Sequence, residues 1–292
     1  MMIEDRTLNG RIFAFINYSL LTIIAIVTVL PFVHVVAGSF TTSAELAVKR
    51  FVLIPTEWSL EAYRFIFSTN TIFKAMSVSV GVTLVGTIFS MFVTSLMAYG
   101  LARRDLDGRR YIMFLVVFTM LFSGGLIPSF LVVKELGLID KYAALIIPST
   151  ISAFNLIILK NFFQNIPEGL EESAKIDGSN DFGILFRIVL PLSMPAIATL
   201  SLFYAVTYWN TYMSAILYLN DSAKWPIQVL LRQVVVLASG LEYSADLDSS
   251  VPPPEQTVKM AVIVVATLPI LCIYPFLQKH FAKGAMLGSI KG

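Results

Sequence analysis

The chain has 292 residues, 57% of them hydrophobic and only 14% charged, with a mean hydropathy of +0.78; soluble domains carry about 25% charged residues, so an ordinary water-soluble domain is excluded. A formal charge of +2 lacks the concentrated basic face that nucleic acid needs, which excludes that partner. Cys272 is the only cysteine, so no intramolecular disulfide and no thiolate metal cluster can form, and it is expected to be a small buried residue.

A bilayer core about 30 Å thick takes roughly 20 apolar residues per helix. Six windows contain no Asp, Glu, Lys or Arg: 12–44, 75–102, 111–133, 142–159, 188–220 and 260–278. The expected fold is therefore all-α and polytopic, a single domain over 1–292 with six transmembrane helices at about 12–38, 76–102, 111–133, 142–163, 192–218 and 257–278.

The first window is too long for the roughly 7 to 15 residue core of a cleaved signal peptide, so it is read as a retained span. The loop after it, about 39–74, carries Pro55 and Thr56 ahead of an amphipathic stretch with Trp58, Tyr63 and Phe67, aromatic residues of the kind that settle at a membrane interface. The second and third spans are joined by ARRDLDGRR, four arginines in a very short loop. Ser123, Gly124 and Gly125, with Pro128 behind them, are expected to break the outer end of the third span.

After the fourth span the apolar pattern stops and the chain reads NIPEGLEESAKIDGSNDFGILFRIVLP, about 165–191. Asn165 is a plausible N-cap near Pro167, and Glu168, Glu171 and Glu172 follow in the first turns, where the helix dipole favours negative charge. A helix over about 167–177 is expected, with a Glu171–Lys175 pair one turn apart and Gly178 ending it in a left-handed conformation. Ser179, Asn180 or Asp181 can cap a second helix whose apolar side is Phe182, Leu185, Phe186 and Val189, and which Leu190–Pro191 and Pro195 are expected to end. On the residues alone, an interfacial hairpin that merely joins two spans reads as well.

The fifth span offers Tyr204, Tyr208, Trp209, Asn210 and Tyr212. Sugars are held by hydrogen bonds and stacking on aromatic faces, so these are translocation-path candidates; packing against neighbouring helices is the alternative. NDSAKWPIQVLLRQVVVL then predicts a helix on or in the membrane, and the prolines of VPPPEQT set where the sixth span starts. His34 and His280 are far apart and lack companions, so no metal site is expected. With the N-terminus inside, twelve of the 21 Lys and Arg fall on cytoplasmic segments, which favours both termini in the cytoplasm.

Glu172-Ser173-Ala174, then Gly178 after three intervening residues and Ile188-x-Leu190-Pro191 after nine more, resemble the EAA motif of bacterial ABC importer permeases, with Ser173 in place of the middle alanine and Asp177 before the glycine. WNTYMSAILYLND, LPILCIYPFLQKHFAKG and MLGSIKG are similar to the MalG-like carbohydrate branch, and SGGLIPSFLVVKELGLIDKY with VPPPEQTVKMA to its LplC-like and alginate-importer second-subunit members. The resemblance covers nearly the whole chain. It implies a type I ABC importer subunit in the bacterial cytoplasmic (inner) membrane, assembled with a second homologous permease, two ATPase subunits and an extracytoplasmic solute-binding protein that hands over an oligosaccharide. It implies that Glu171, Glu172, Ser173, Ala174, Asp177, Gly178, Ile188, Leu190 and Pro191 form the ATPase-coupling region, and that Gly288, Ile290 and Lys291 in the tail reach the ATPases. It also implies that the sugar is acidic, alginate- or pectin-like.

No G-x-x-x-x-G-K-[ST] phosphate loop occurs, so the chain cannot supply an ATP site. No cofactor is expected on it; ATP and Mg would lie on the partner ATPases. A neutral oligosaccharide is the alternative substrate, and an amino-acid or metal permease shares the EAA motif. A membrane-embedded enzyme or a proton-coupled carrier would need ionisable groups inside the spans, and the six windows hold no Asp or Glu.

Overall fold

The computed structural model describes residues 7–49, 51–68, 70–238 and 256–289, and they are helical throughout apart from turns, connections and one isolated bridge between Thr41 and Trp58. They gather into two compact units, Met1–Thr69 with Leu231–Thr267, and Asn70–Leu230 with Leu268–Gly292.

In the first unit, α1 (Leu8–Ser39) is capped by Thr7, whose hydroxyl accepts from the Gly10 N–H. Only its last residues, Ala37, Gly38 and Ser39, are buried, while Ile12, Phe13, Leu20, Ile23 and Phe32 stand exposed. A helix apolar all round and bare along its length is stable only in lipid or against another chain. Short helices α2 (Ser43–Val48) and α3 (Glu61–Ser68) follow; the second lies within the stretch expected to be amphipathic, and neither was expected as a helix. Tyr63 stacks on Phe40 at 4.9 Å, and its hydroxyl lies 2.8 Å from Ser39 Oγ. His34 accepts from the Val52 N–H at 3.0 Å and stacks on Phe51 at 4.4 Å.

Glu45 on α2 organises this loop. Its carboxylate accepts from Thr41 Oγ1 (2.6 Å), Thr56 Oγ1 (2.6 Å), the Thr56 and Glu57 N–H groups (3.1 and 3.0 Å) and Lys49 Nζ (2.9 Å). Those bonds, the Thr41 hydroxyl first, then Thr56 and the Glu57 amide, hold its pKa far below the usual carboxylate range. A depressed carboxylate contributes stability in full above its unfolded value and loses it as pH falls toward the folded one. The Thr56 and Glu57 amides should therefore be protected from hydrogen exchange at neutral pH and lose protection factor on acidification below 4.5. In Glu45→Gln the protection should be low at every pH; undiminished protection in that variant would contradict this account.

The second unit is built on α4 (Asn70–Ala102). Its buried positions include Ala75, Ser79, Val82, Gly86, Ser90, Thr94 and Ala98, spaced three or four apart and so on one face. Small residues there let other helices approach closely, which is how membrane helices pack. α12 (Met194–Trp209) and α8 (Ala153–Gln164) lie along that face, and Leu156, Leu159, Ile184, Leu185 and Leu200 fill the core they share.

Three helices are long and apolar enough to cross a membrane: Leu8–Ser39, Asn70–Ala102 and Gln256–Ile273, the last within α15 (Gln256–Ser289). Two bent pairs raise the number to five among the described residues. One is α7 (Ala143–Ile146), with its 3-10 continuation Ile147–Ser149, and α8, bent by 53°; the other is Asp181–Leu192 and α12, bent by 86°.

The remaining expected span, 111–133, is divided into α5 (Arg109–Leu121) and α6 (Leu126–Glu135). The break predicted at the outer end falls after only the 13 residues of α5, about 20 Å of helix, because Phe122 turns extended and Gly125 takes φ 82°. The fifth span likewise ends α12 at Trp209 and resumes only as α13 (Met213–Tyr218).

The helix predicted after the fifth span is α14 (Ile227–Ala238), preceded by the 3-10 turn Ser222–Lys224. Between α6 and α7, Asp140 sits at φ 60° and accepts from the Asn220 and Asp221 N–H groups (3.2 and 3.1 Å) and from Lys224 Nζ (2.5 Å). The Lys224 contact, then the Asp221 amide, lowers the Asp140 pKa, and the pair raises that of Lys224. The sixth span starts at Gln256; the proline run before it lies outside the described residues. Cys272 is exposed on α15 rather than buried as expected, since a small apolar side chain needs no protein neighbour on a lipid-facing helix.

Candidate functional site

The EAA stretch folds as two short helices joined by a tight bend. α9 (Glu168–Ile176) starts from Pro167, which occupies the cap with extended ψ; Asn165, expected to cap it, instead ends α8. Proline fixes the entering φ and offers no side-chain oxygen, so the acidic first turn, Glu168 and Glu171, faces the orphan N–H groups alone. At the other end Asp177 is the last half-helical residue and Gly178 takes φ 81°. The Ser179 N–H reaches back to the Ala174 carbonyl (2.9 Å) and the Gly178 N–H to that of Lys175 (3.0 Å), the pair of bonds that closes a helix through a left-handed glycine.

Ala174 is buried, as a small residue at a close approach should be, while Glu172 and Ser173 are exposed and Glu171 is partly so. Ser173 donates its hydroxyl to the Gly169 carbonyl at 2.7 Å. The departure from the motif's alanine is thus absorbed inside the helix and leaves no unpaired polar group on the surface.

The second helix, α10 (Asp181–Ile184), is capped by Asn180, whose Oδ1 accepts from the Gly183 N–H at 2.7 Å. It continues through a π-helical turn, Leu185–Val189, into α11 (Leu190–Leu192). Leu190–Pro191 was expected to stop this helix and does not. The proline ring would strike the carbonyl of an ordinary preceding turn, but the chain has already widened there, with Leu190 N–H bonded to the Leu185 carbonyl. The stop comes at Ser193, followed by the 86° bend into α12. Val189 is buried, Ile188 and Leu190 are half-buried and Pro191 is exposed; of the expected apolar side, Leu185 joins the core while Phe182 and Phe186 remain exposed.

Arginines that the sequence reading used only to orient the chain hold this region. Arg103 grips Asp105 with two bonds, Nε to Oδ1 at 3.0 Å and Nη2 to Oδ2 at 2.9 Å, and reaches Asp181 with Nη1 at 2.6 Å. Arg104 Nε lies 3.2 Å from Glu168 Oε1, and Gln164 donates to the Ala102 carbonyl at 3.2 Å. The Glu171–Lys175 pair does not form among the described residues; α9 makes its ion pair with Arg104 instead. Arg103 lowers the Asp105 pKa to about 2, and Asp105, then Asp181, pushes that of Arg103 up. Arg103, Arg104, Glu168, Glu171, Glu172 and Lys175 border an open recess of about 320 Å³. The signal for these contacts was present as paired opposite charges in ARRDLDGRR and SNDFG, but residues 78 positions apart give no spacing rule to read.

The fifth-span candidates separate. Tyr204 and Tyr208 are among the largest fully buried side chains. Tyr204 Oη pairs with Thr94 Oγ1 (2.7 Å) and accepts from the Ser152 N–H (3.0 Å). Tyr208 Oη pairs with Ser90 Oγ (2.7 Å) and donates to the Ile146 carbonyl (3.2 Å). Ser152 and Ile146 flank the break between α7 and α8, where the main chain loses its helical partners. Tyr204 supplies one to the Ser152 N–H, and Tyr208 shares the Ile146 carbonyl with the Thr150 hydroxyl (3.0 Å), as buried non-helical backbone requires. Trp209 is buried, Tyr212 is partly buried at the start of α13, and Asn210 is exposed with its amide on the Val206 carbonyl at 2.9 Å. Gly288 lies on α15; Ile290 and Lys291 lie outside the described residues.

A family model described as "Binding-protein-dependent transport system inner membrane component" matches residues 9–286. The chain is 68% identical over 286 residues to the polygalacturonan/rhamnogalacturonan transport system permease protein YtcP of Bacillus subtilis, covering 98% of this chain and 100% of that one. It is 54% identical to protein LplC of the same organism, covering 98% and 97%. Among solved structures it is similar to a chain of a bacterial ABC transporter involved in the import of the acidic polysaccharide alginate, with TM-score 0.87 and 31% identity over 94% of this chain and 98% of that one.

Proposed function

Because the chain belongs to the binding-protein-dependent transport system inner membrane components, as a non-catalytic ABC permease, we propose that it is one of two membrane subunits importing an acidic, pectin-like oligosaccharide. Similarity over the full length to a polygalacturonan and rhamnogalacturonan permease is the observation that carries this substrate class.

In this reading the whole chain is one permease domain with six spans and both termini in the cytoplasm, the divided 111–133 stretch supplying the sixth. A binding protein delivers the sugar, and two ATPase subunits supply the energy through α9 and α10. Glu172 stands exposed on a helix entered through Pro167 and closed by hydrogen bonds at Gly178, so a push on α9 is transmitted rather than absorbed. It passes along Asp181–Leu192 into α12, as rigid-body gating between inward-open and outward-open forms. Asn210 and Tyr212, at the interruption of the fifth span, are the members of the aromatic set proposed to face the sugar; Tyr204 and Tyr208 position that helix from within. The tail, with Gly288, Ile290 and Lys291, is proposed to reach the ATPases.

Uptake of labelled oligogalacturonides and of a neutral oligosaccharide of equal length, in cells with and without this subunit, tests the proposal. Loss confined to the uronate is expected. Loss confined to the neutral sugar would reassign the substrate.

A further inference from the structure

The contacts of the α4–α5 loop reach both helices of the coupling region. Arg104 meets Glu168 at the start of α9, and Arg103 meets Asp181 at the start of α10. A guanidinium is planar, and the two-bond fork to Asp105 fixes that plane, which aims the remaining Nη1 at Asp181. Ion pairs this exposed add little to folding stability; the Asp181 side chain retains 62% of its accessible surface. What the fork supplies is a defined attachment between α4 and a helix pair distant in sequence.

The same half of α4, two to three turns before the loop, shows what that attachment would do. Ser90 and Thr94 on α4 hold Tyr208 and Tyr204 on α12 by 2.7 Å bonds, and the same tyrosines hold the backbone at the break in the fourth span. If a push on α9 and α10 moved α12 alone, through the π turn and Pro191, those hydrogen bonds would shear. If α4 is drawn along by the loop, the two helices move as one body with the bonds intact.

We infer that the α4–α5 loop is a second coupling element, in which Arg103 is a positioning residue that carries movement of the docking helices to α4. The inference rests on the reading of α9 as the ATPase-docking helix. Force from the ATPases then enters the membrane by two parallel routes, one through Pro191 to α12 and one through Arg103 to α4.

The test uses the complete transporter reconstituted in liposomes, reading sugar imported per ATP hydrolysed on the assembled fraction. Arg103→Gln and Asp181→Asn should each lower that ratio about fivefold or more, the lower end of typical coupling between sites. Arg103→Lys, which keeps a cation but not the fork, should restore part of it, and Asp107→Asn in the same loop should leave it unchanged. A parental ratio in both Arg103→Gln and Asp181→Asn would overturn the inference. So would a proportional fall of uptake and ATP hydrolysis with the ratio preserved, since that is the mark of a merely structural role. Impaired coupling in Glu172→Lys with a normal ratio in Arg103→Gln would undo this inference alone, whereas normal coupling in Glu172→Lys would undo the docking-helix reading.

Discussion

Glu172→Lys is expected to leave the permease in the membrane at parental levels and to abolish ATP-driven uptake. The side chain is exposed on α9, so its replacement removes no internal contact and should not affect folding. A partner surface that receives a carboxylate would instead meet an ammonium, and like charges brought together at an interface cost enough to weaken docking by roughly a hundredfold. Gly178→Asp should act in the same direction by a different cause. Nothing lies within 4 Å of a Cβ built there, so the penalty is purely that of φ 81°, about 1 kcal/mol for a residue with a side chain, and it loosens the bonds that close α9. Ser173→Ala should be indistinguishable from the parent, because the hydroxyl it removes is bonded inside its own helix. Uptake of labelled sugar and ATP hydrolysis in vesicles containing the full complex decide the matter. Normal uptake in Glu172→Lys would refute the assignment of α9.

The second large effect is expected from Gly86→Val, far from the coupling region in sequence. A Cβ at Gly86 would lie 2.8 Å from ring atoms of Tyr208, which is closer than such atoms come. Tyr208 is buried at 1% exposure and cannot swing away without breaking its bonds to Ser90 and to the Ile146 carbonyl. Overpacking costs about 1–3 kcal/mol, and each buried polar group left unpaired adds roughly as much again. The expected outcome is a large fall in the amount of folded subunit, seen as loss of a monodisperse peak in detergent and a lowered melting temperature. Tyr208→Phe, which keeps the ring and removes only the hydroxyl, should fall between Gly86→Val and the parent. A fully folded Gly86→Val protein would show that α4 and α12 are not held in this register.

The class of the protein was legible in one dimension. Six uncharged windows and the fixed letters from Glu172 to Pro191 are local patterns, set by the thickness of a bilayer and the length of a short helix. They pointed to the permease family that the full-length similarity shows. The ends of α9 could be placed within a residue or two for the same reason, since a left-handed glycine and an acidic first turn act over three or four residues. The capping residue was misplaced because proline and asparagine both suit a helix start and only the chain's path chooses between them.

What the tertiary structure decided is every feature that depends on partners distant along the chain. Tyr204 and Tyr208 share a helix face in the sequence, and that face could have met sugar or protein. The break between Ser149 and Ala153 in the fourth span decides it, because backbone at membrane depth that lacks helical partners must find hydroxyls and these two are within reach. Arg103 read as one more cytoplasmic charge until Asp181 was brought beside it. Period and charge count are properties of neighbours in sequence; a hydrogen bond is a property of neighbours in space.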